Sequence, residues 1–117
     1  MPCRLLGADS AAVEMSQHKI DFASIPWQAP IPGARSKSVV QGNRRLRLAE
    51  YTKKMQPHWC EKGHIGYILD GQFEIRFESE VLVFEPGDGV FIPAGRDHRH
   101  MARALSEVVR AVFVEEV

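Results

Sequence analysis

The sequence predicts an all-β, single-domain protein, a sandwich or small barrel of short strands. Three observations carry that reading. Apolar residues recur with a period of two in short runs, glycine and proline punctuate the chain between them, and no stretch holds a helical period long enough to bury one face. At 117 residues the chain holds one domain's worth of core. Its 44% apolar and 26% charged residues are the balance of a globular protein able to fill that core.

From Met1 to about Gln17 the chain lacks pattern, and Met15 offers an alternative start. Residues 1–36 read as an N-terminal tail and extended arm, and 37–117 as the barrel. Between Ile20 and Gly33, Pro26, Pro30 and Pro32 forbid a regular helix or a central strand, because each lacks an N–H to donate. This arm runs extended over the surface, with Phe22, Ile25 and Trp27 available to pack on a sheet or a second subunit.

Ser38 to Val40 is β-rich, Arg44 to Thr52 alternates with Leu46 and Leu48 on one face, and Ile65 to Leu69 is a compact apolar run. Asp70-Gly71 separates that run from the alternating Phe73, Ile75 and Phe77, which predicts a hairpin. A second hairpin is expected near Glu78 to Glu80, with Val81 and Val83 on the returning strand. Pro86-Gly87-Asp88-Gly89 is a turn, Val90 to Ile92 a short strand and Pro93-Ala94-Gly95 another turn. The last strand, about Val108 to Val114, is apolar on both faces and should lie deep in the fold.

Charge and composition exclude several function classes. Lys plus Arg number 15 and Asp plus Glu 15, so no net field gathers nucleic acid or anionic lipid. The cluster Arg44, Arg45, Arg47 is too short to change that. No apolar run reaches about 18 residues and no secretory leader pattern opens the chain, so the expected location is the cytoplasm, away from membranes. Two cysteines, Cys3 in the tail and Cys60 among histidines, do not form a disulfide framework.

The chemistry gathers around residue 60. His58, Cys60 and His64 lie within seven residues, and His58 and Cys60 share a face if the segment is extended. The turn Glu61-Lys62-Gly63 would bring His64 back beside them. Further on, His98 follows the turn at Pro93-Ala94-Gly95 and is expected to open a strand, with His100 on the same face. Any one of these histidines alone reads as a surface or satisfied core residue; together they are candidate metal ligands. Cys60 alone is a ligand, a pocket thiol or a small buried hydrophobe. His100 is a further ligand, a general acid or base, or a solvated rim residue. Arg47 and Tyr51 have the opposite parity to Leu46 and Leu48: they project into the barrel as substrate and proton-transfer candidates, or else lie on an exposed strand face. Ile68, with Gly66 and Ala102, shares the inward parity of His64 and is a candidate apolar contact for a substrate.

These two blocks resemble the two motifs of the cupin superfamily. The first cupin block has two alternate histidines, a glutamate three or four residues on and a glycine beyond; here His58, Cys60, His64 and Gly71 stand at those places. In the second block, Gly87, Pro93, Gly95 and His98 match every spacing, while Ala102 replaces the asparagine that often follows. The resemblance covers about residues 37 to 115. It implies a double-stranded β-helix, or jelly roll, with a metal inside the barrel near one mouth, a small-molecule ligand and a homodimer packed sheet on sheet.

Carried onto this sequence, the resemblance makes His58, Cys60, His64 and His98 the metal ligands. Three imidazoles and a thiolate favour one divalent transition metal (Zn, Fe, Ni, Co or Cu) over Mg or Ca. A thiolate also cancels one unit of the metal's charge, which acidifies a bound water less and makes simple hydrolysis less attractive. Two functions fit. One is a small metalloenzyme of isomerase, lyase or dioxygenase type, acting on a carbonyl or hydroxy acid with His100 or Tyr51 moving a proton. The other is a metal-dependent binding or sensing module whose four donors close the coordination sphere.

Overall fold

A computed structural model describes residues 18–117. The patternless tail, with Cys3 and Met15, lies outside the described residues. Nine strands follow one another: β1 (Gln28–Ile31), β2 (Ala34–Gln41), β3 (Arg44–Thr52), β4 (His64–Asp70), β5 (Phe73–Arg76), β6 (Val81–Phe84), β7 (Gly89–Ile92), β8 (Met101–Ala104) and β9 (Val108–Glu116). Among the described residues the only helical segments are 3₁₀ turns at Phe22–Ser24 and Arg96–His98. The strands form a six-stranded sheet, β1-β2-β3-β9-β4-β7, facing a three-stranded one, β6-β5-β8, with every pairing antiparallel. This is the all-β architecture of a jelly-roll barrel.

Period-two alternation sorts the side chains. On β9, Val109, Ala111 and Phe113 are buried, and they meet Ala49 of β3, Ile68 of β4, and Phe73 and Ile75 of β5 in one core. The deep placement expected of this strand is observed: β9 is paired on both edges, to β3 from Arg44↔Glu116 to Thr52↔Val108 and to β4 from Ile65↔Val114 to Asp70↔Arg110. Pro30 lies in β1, which pairs only with β2 at the sheet's end, where a missing N–H leaves no ladder bond broken. The arm before it is pinned at Trp27, whose ring lies 4.1 Å from the Arg35 guanidinium and 4.8 Å from Lys37 Nζ.

The second hairpin turns as expected, with the Phe77 N–H donating to the Glu80 carbonyl at 2.8 Å between β5 and β6. The first does not form. Asp70-Gly71 is a turn, but β4 and β5 belong to different sheets, so it carries the chain across the barrel. The reason lies in its surroundings: the Gln72 N–H donates to Ser106 Oγ at 2.9 Å and the Leu105 N–H to the Gln72 carbonyl at 2.9 Å, which ties the turn to the β8–β9 connection. Gly71 has φ of 83°, and a Cβ there would overlap the Val108 carbonyl oxygen.

On the outer face Glu50 stands between Arg35 of β2 and Arg110 of β9, accepting from their Nε atoms at 2.7 and 2.8 Å. Burial pushes its carboxyl up, and the two arginines outweigh burial and hold it below its ordinary value.

Gly71→Ala is expected to destabilise the fold by about 2 kcal/mol or more, since strain and overlap coincide, as a lowered midpoint in urea unfolding. Glu50 gives a pH signature. A carboxyl depressed in the folded state binds fewer protons than in the unfolded chain, so its contribution is present above about pH 4.5 and is lost as pH falls through the folded value. Glu50→Gln should flatten that acid limb and lower stability at pH 7 by on the order of 1 kcal/mol, because both arginine partners are half exposed.

Candidate metal centre

Three donors meet at the inner wall near one end of the barrel: Cys60 Sγ and one ring nitrogen each of His64 and His100, all within 4.8 Å of one another. Each is delivered differently. His64 opens β4 opposite Ile92 of β7, with inward parity. Cys60 and His100 lie outside the regular strands and form an isolated antiparallel bridge. The Cys60 N–H donates to the His100 carbonyl at 2.8 Å and the His100 N–H to the Cys60 carbonyl at 2.9 Å. A pair that exchanges both bonds carries its side chains on one face.

This local path separates His98 from His100. Gly95, with φ of 128°, starts the 3₁₀ turn Arg96–His98, and the His98 N–H donates to the Gly95 carbonyl at 3.1 Å. The chain extends again only at Arg99, so His98 closes a turn where the spacing predicts the start of a strand, and its side chain is exposed. His100 is 4% exposed and stands in the cluster. His58 precedes the bridge in an irregular segment and is exposed at the cavity mouth, its Nδ1 3.4 Å from the Gln56 carbonyl.

The donor chemistry fits a metal. His64 Nδ1 lies 2.8 Å from Glu115 Oε2 and His100 Nδ1 lies 3.0 Å from the His98 carbonyl oxygen. A carboxylate and a carbonyl only accept, so both Nδ1 atoms carry a proton, and a ring that holds one proton keeps its lone pair on Nε2. Burial lowers the His100 pKa below its ordinary value, and His64 and His58 add to this against the opposing bond to His98, so the ring is neutral at pH 7.

Glu115 is a residue the sequence reading did not single out. It lies near the end of β9 with the inward parity of Phe113, and a carboxylate at an inward position of an apolar strand face was the available signal. It accepts from Arg47 Nε at 3.0 Å and Nη2 at 2.6 Å as well as from His64. Burial pushes its carboxyl up; the bonds from His64 and Arg47 and the Arg47 charge outweigh burial and hold it at about 2.

Beside the cluster lies a cavity of about 340 Å³, within the range of small-molecule sites. Arg47 and Tyr51 both line it, with Arg47 Nη1 donating to the Tyr51 hydroxyl at 3.3 Å and Tyr51 stacked on Phe73 at 4.9 Å. Ile75, Val90, Ile92 and Phe113 form its apolar wall. Ile68 is fully buried in the core and does not line the cavity, because β4 continues past the mouth before reaching it. Lys62 stands at the mouth, and no acidic side chain lines the cavity among the described residues.

A small jelly roll with a Cys/His/His cluster that could hold a metal is thus in place. Residues 44–115 match the family described as Cupin domain, and the chain belongs to that family. Among solved structures it is similar to KdgF from Halomonas sp., with 26% identity, a TM-score of 0.65, and coverage of 78% of this chain and 86% of that one. An RmlC-like cupin from Shewanella frigidimarina matches with a TM-score of 0.68 at 12% identity, covering 86% and 91% of the two chains. The polyketide cyclase RemF from Streptomyces resistomycificus matches with 0.68 at 18% identity, covering 88% and 80%. Comparison with curated proteins finds no match. No helix among the described residues is long and apolar enough to cross a membrane.

Proposed function

We propose that this protein is a small metalloenzyme in which Cys60, His64 and His100 hold one divalent transition metal, and that it acts on a small carbonyl or hydroxy acid in the adjoining cavity. The carrying observation is the pair of histidines whose Nδ1 atoms are both committed to acceptors, leaving two Nε2 lone pairs beside a thiol at the cavity wall. When bound, the metal supplies a Lewis acid for a carbonyl or hydroxyl oxygen. Zn, Fe(II), Co, Ni and Cu suit this donor set better than Mg or Ca.

Charge favours an acidic substrate. Arg47 is matched by Glu115, a Cys60 thiolate takes up one unit of a divalent ion's charge, and Lys62 has no acidic partner among the described residues. The cavity is therefore cationic once loaded, with Lys62 at the mouth for the carboxylate. Tyr51 Oη accepts from Arg47 and so keeps its own proton free to donate to a substrate oxygen. That arrangement suits isomerase or lyase chemistry by proton transfer. The alternative is a sensing module, in which His58 swings in from the mouth as a fourth donor and leaves no open position for substrate.

A homodimer is the proposed assembly. Its support is the outer face of the six-stranded sheet, where Ile65, Tyr67 and Phe91 are 48%, 48% and 76% exposed beside Val114. Contiguous apolar surface of this kind marks an interaction face.

Purified protein reconstituted with Zn or Co(II) should bind one equivalent. Cys60→Ala, His64→Ala and His100→Ala should each weaken binding by more than the ~10–100-fold that loss of an outer partner costs, while His98→Ala retains it. Absence of stoichiometric metal from the wild type, or loss with His98→Ala alone, overturns the assignment. The Co(II) absorption intensity separates a closed tetrahedron from a centre with exchangeable water. Sedimentation should give a dimer that Phe91→Glu converts to a metal-binding monomer; a wild-type monomer rejects the assembly.

A further inference from the structure

We propose that Glu115 is the positioning residue of this centre: it fixes the tautomer and ring orientation of His64 through one carboxylate oxygen while Arg47 clamps the carboxylate itself. This rests on the reading of His64 as a metal ligand.

Leu46 and Ile65 both pair with Val114, so one residue further along β9 Glu115 lies between Arg45 of β3 and the start of β4, where His64 stands. Its side chain is 10% exposed, and a carboxylate so placed must have its oxygens satisfied. Arg47 takes one oxygen with Nε and the other with Nη2 in a bidentate fork, which fixes the plane of the carboxylate. Oε2, held in that plane, then accepts from His64 Nδ1 at 2.8 Å. The Phe113 ring, 5.4 Å from the His64 ring and 5.2 Å below the Arg47 guanidinium, closes the remaining side. A Cβ at Gly66 would overlap the Phe113 ring, so the absence of a side chain there is what lets that ring lie against β4.

The consequence is specific. An imidazole in water favours the Nε2–H form, in which Nε2 is blocked. Glu115 inverts that preference at His64 and turns the Nε2 lone pair away from β9 toward Cys60 and His100. Arg47 supplies no net charge to the centre, since Glu115 cancels it; its part is to hold the carboxylate still.

Two measurements test this. Nitrogen-15 shifts of the metal-free wild-type protein should show neutral His64 protonated at Nδ1; protonation at Nε2 overturns the proposal whatever any variant does. In Zn competition titrations, Glu115→Gln should bind about 10–100-fold more weakly than wild type, with Glu115→Asp between the two. If wild type binds Zn and Glu115→Gln binds equally tightly, Glu115 has no positioning role and the metal assignment stands. If wild type binds no metal, the assignment of the centre fails instead, and the nitrogen-15 result alone decides the tautomer.

Discussion

A strand paired on both edges cannot slip, and β9 is such a strand. It is bonded to β3 over its whole length and to β4 over most of it. A shift of one residue would turn Val109, Ala111 and Phe113 out to water and bring Arg110 into the core. The register is therefore set by the apolar residues, and Glu115 is carried inward as a consequence of it. A carboxylate that must be buried needs partners, and the same register supplies Arg47 from one neighbouring strand and His64 from the other. Hydrophobic packing and site geometry are thus one constraint seen from two ends of the strand.

What was legible in the sequence follows the same division. Residues on regular strands could be placed by parity: Arg44 to Thr52 forms β3 with the bounds read from its alternation, and Arg47, Tyr51 and His64 face the cavity side. Residues whose position depends on a turn could not. Asp70-Gly71 has the composition of a hairpin, but its neighbours in space are Ser106 and Val108, more than thirty residues on, and no local pattern announces them. His98 and His100 illustrate the point more sharply. Parity treats them alike, and the 3₁₀ turn after Gly95 sends one to the surface and the other into the cluster.

Pairings between side chains were the least legible part. Read from sequence, Arg47 is a candidate to project into the barrel and hold a carboxylate or hydroxyl, or else a residue of an exposed strand face. In the folded chain its fork is already filled by Glu115, a residue 68 positions away. Burial works against its charge, and the bonds and charges of Glu115 and Tyr51 together outweigh it, so the guanidinium stays ionised and committed. On the proposed reading the anchoring part falls to Lys62, which stands in sequence only as a turn residue.

This exchange bears on what the cavity can select. On the proposed reading, a divalent ion with one thiolate retains a single positive charge, and the Arg47–Glu115 pair orients His64 without changing that sum. The charge felt by a substrate would then be set by the metal, Cys60 and Lys62, on a wall otherwise made of Ile75, Val90, Ile92 and Phe113. An apolar wall lowers the local dielectric and makes each uncompensated charge count for more than it would in water. A neutral carbonyl compound meets only the metal, whereas a hydroxy acid meets the metal and Lys62 together. Replacing Cys60 by a neutral ligand would raise the cavity's charge by one unit. On that reading the thiolate would tune substrate charge as well as metal preference.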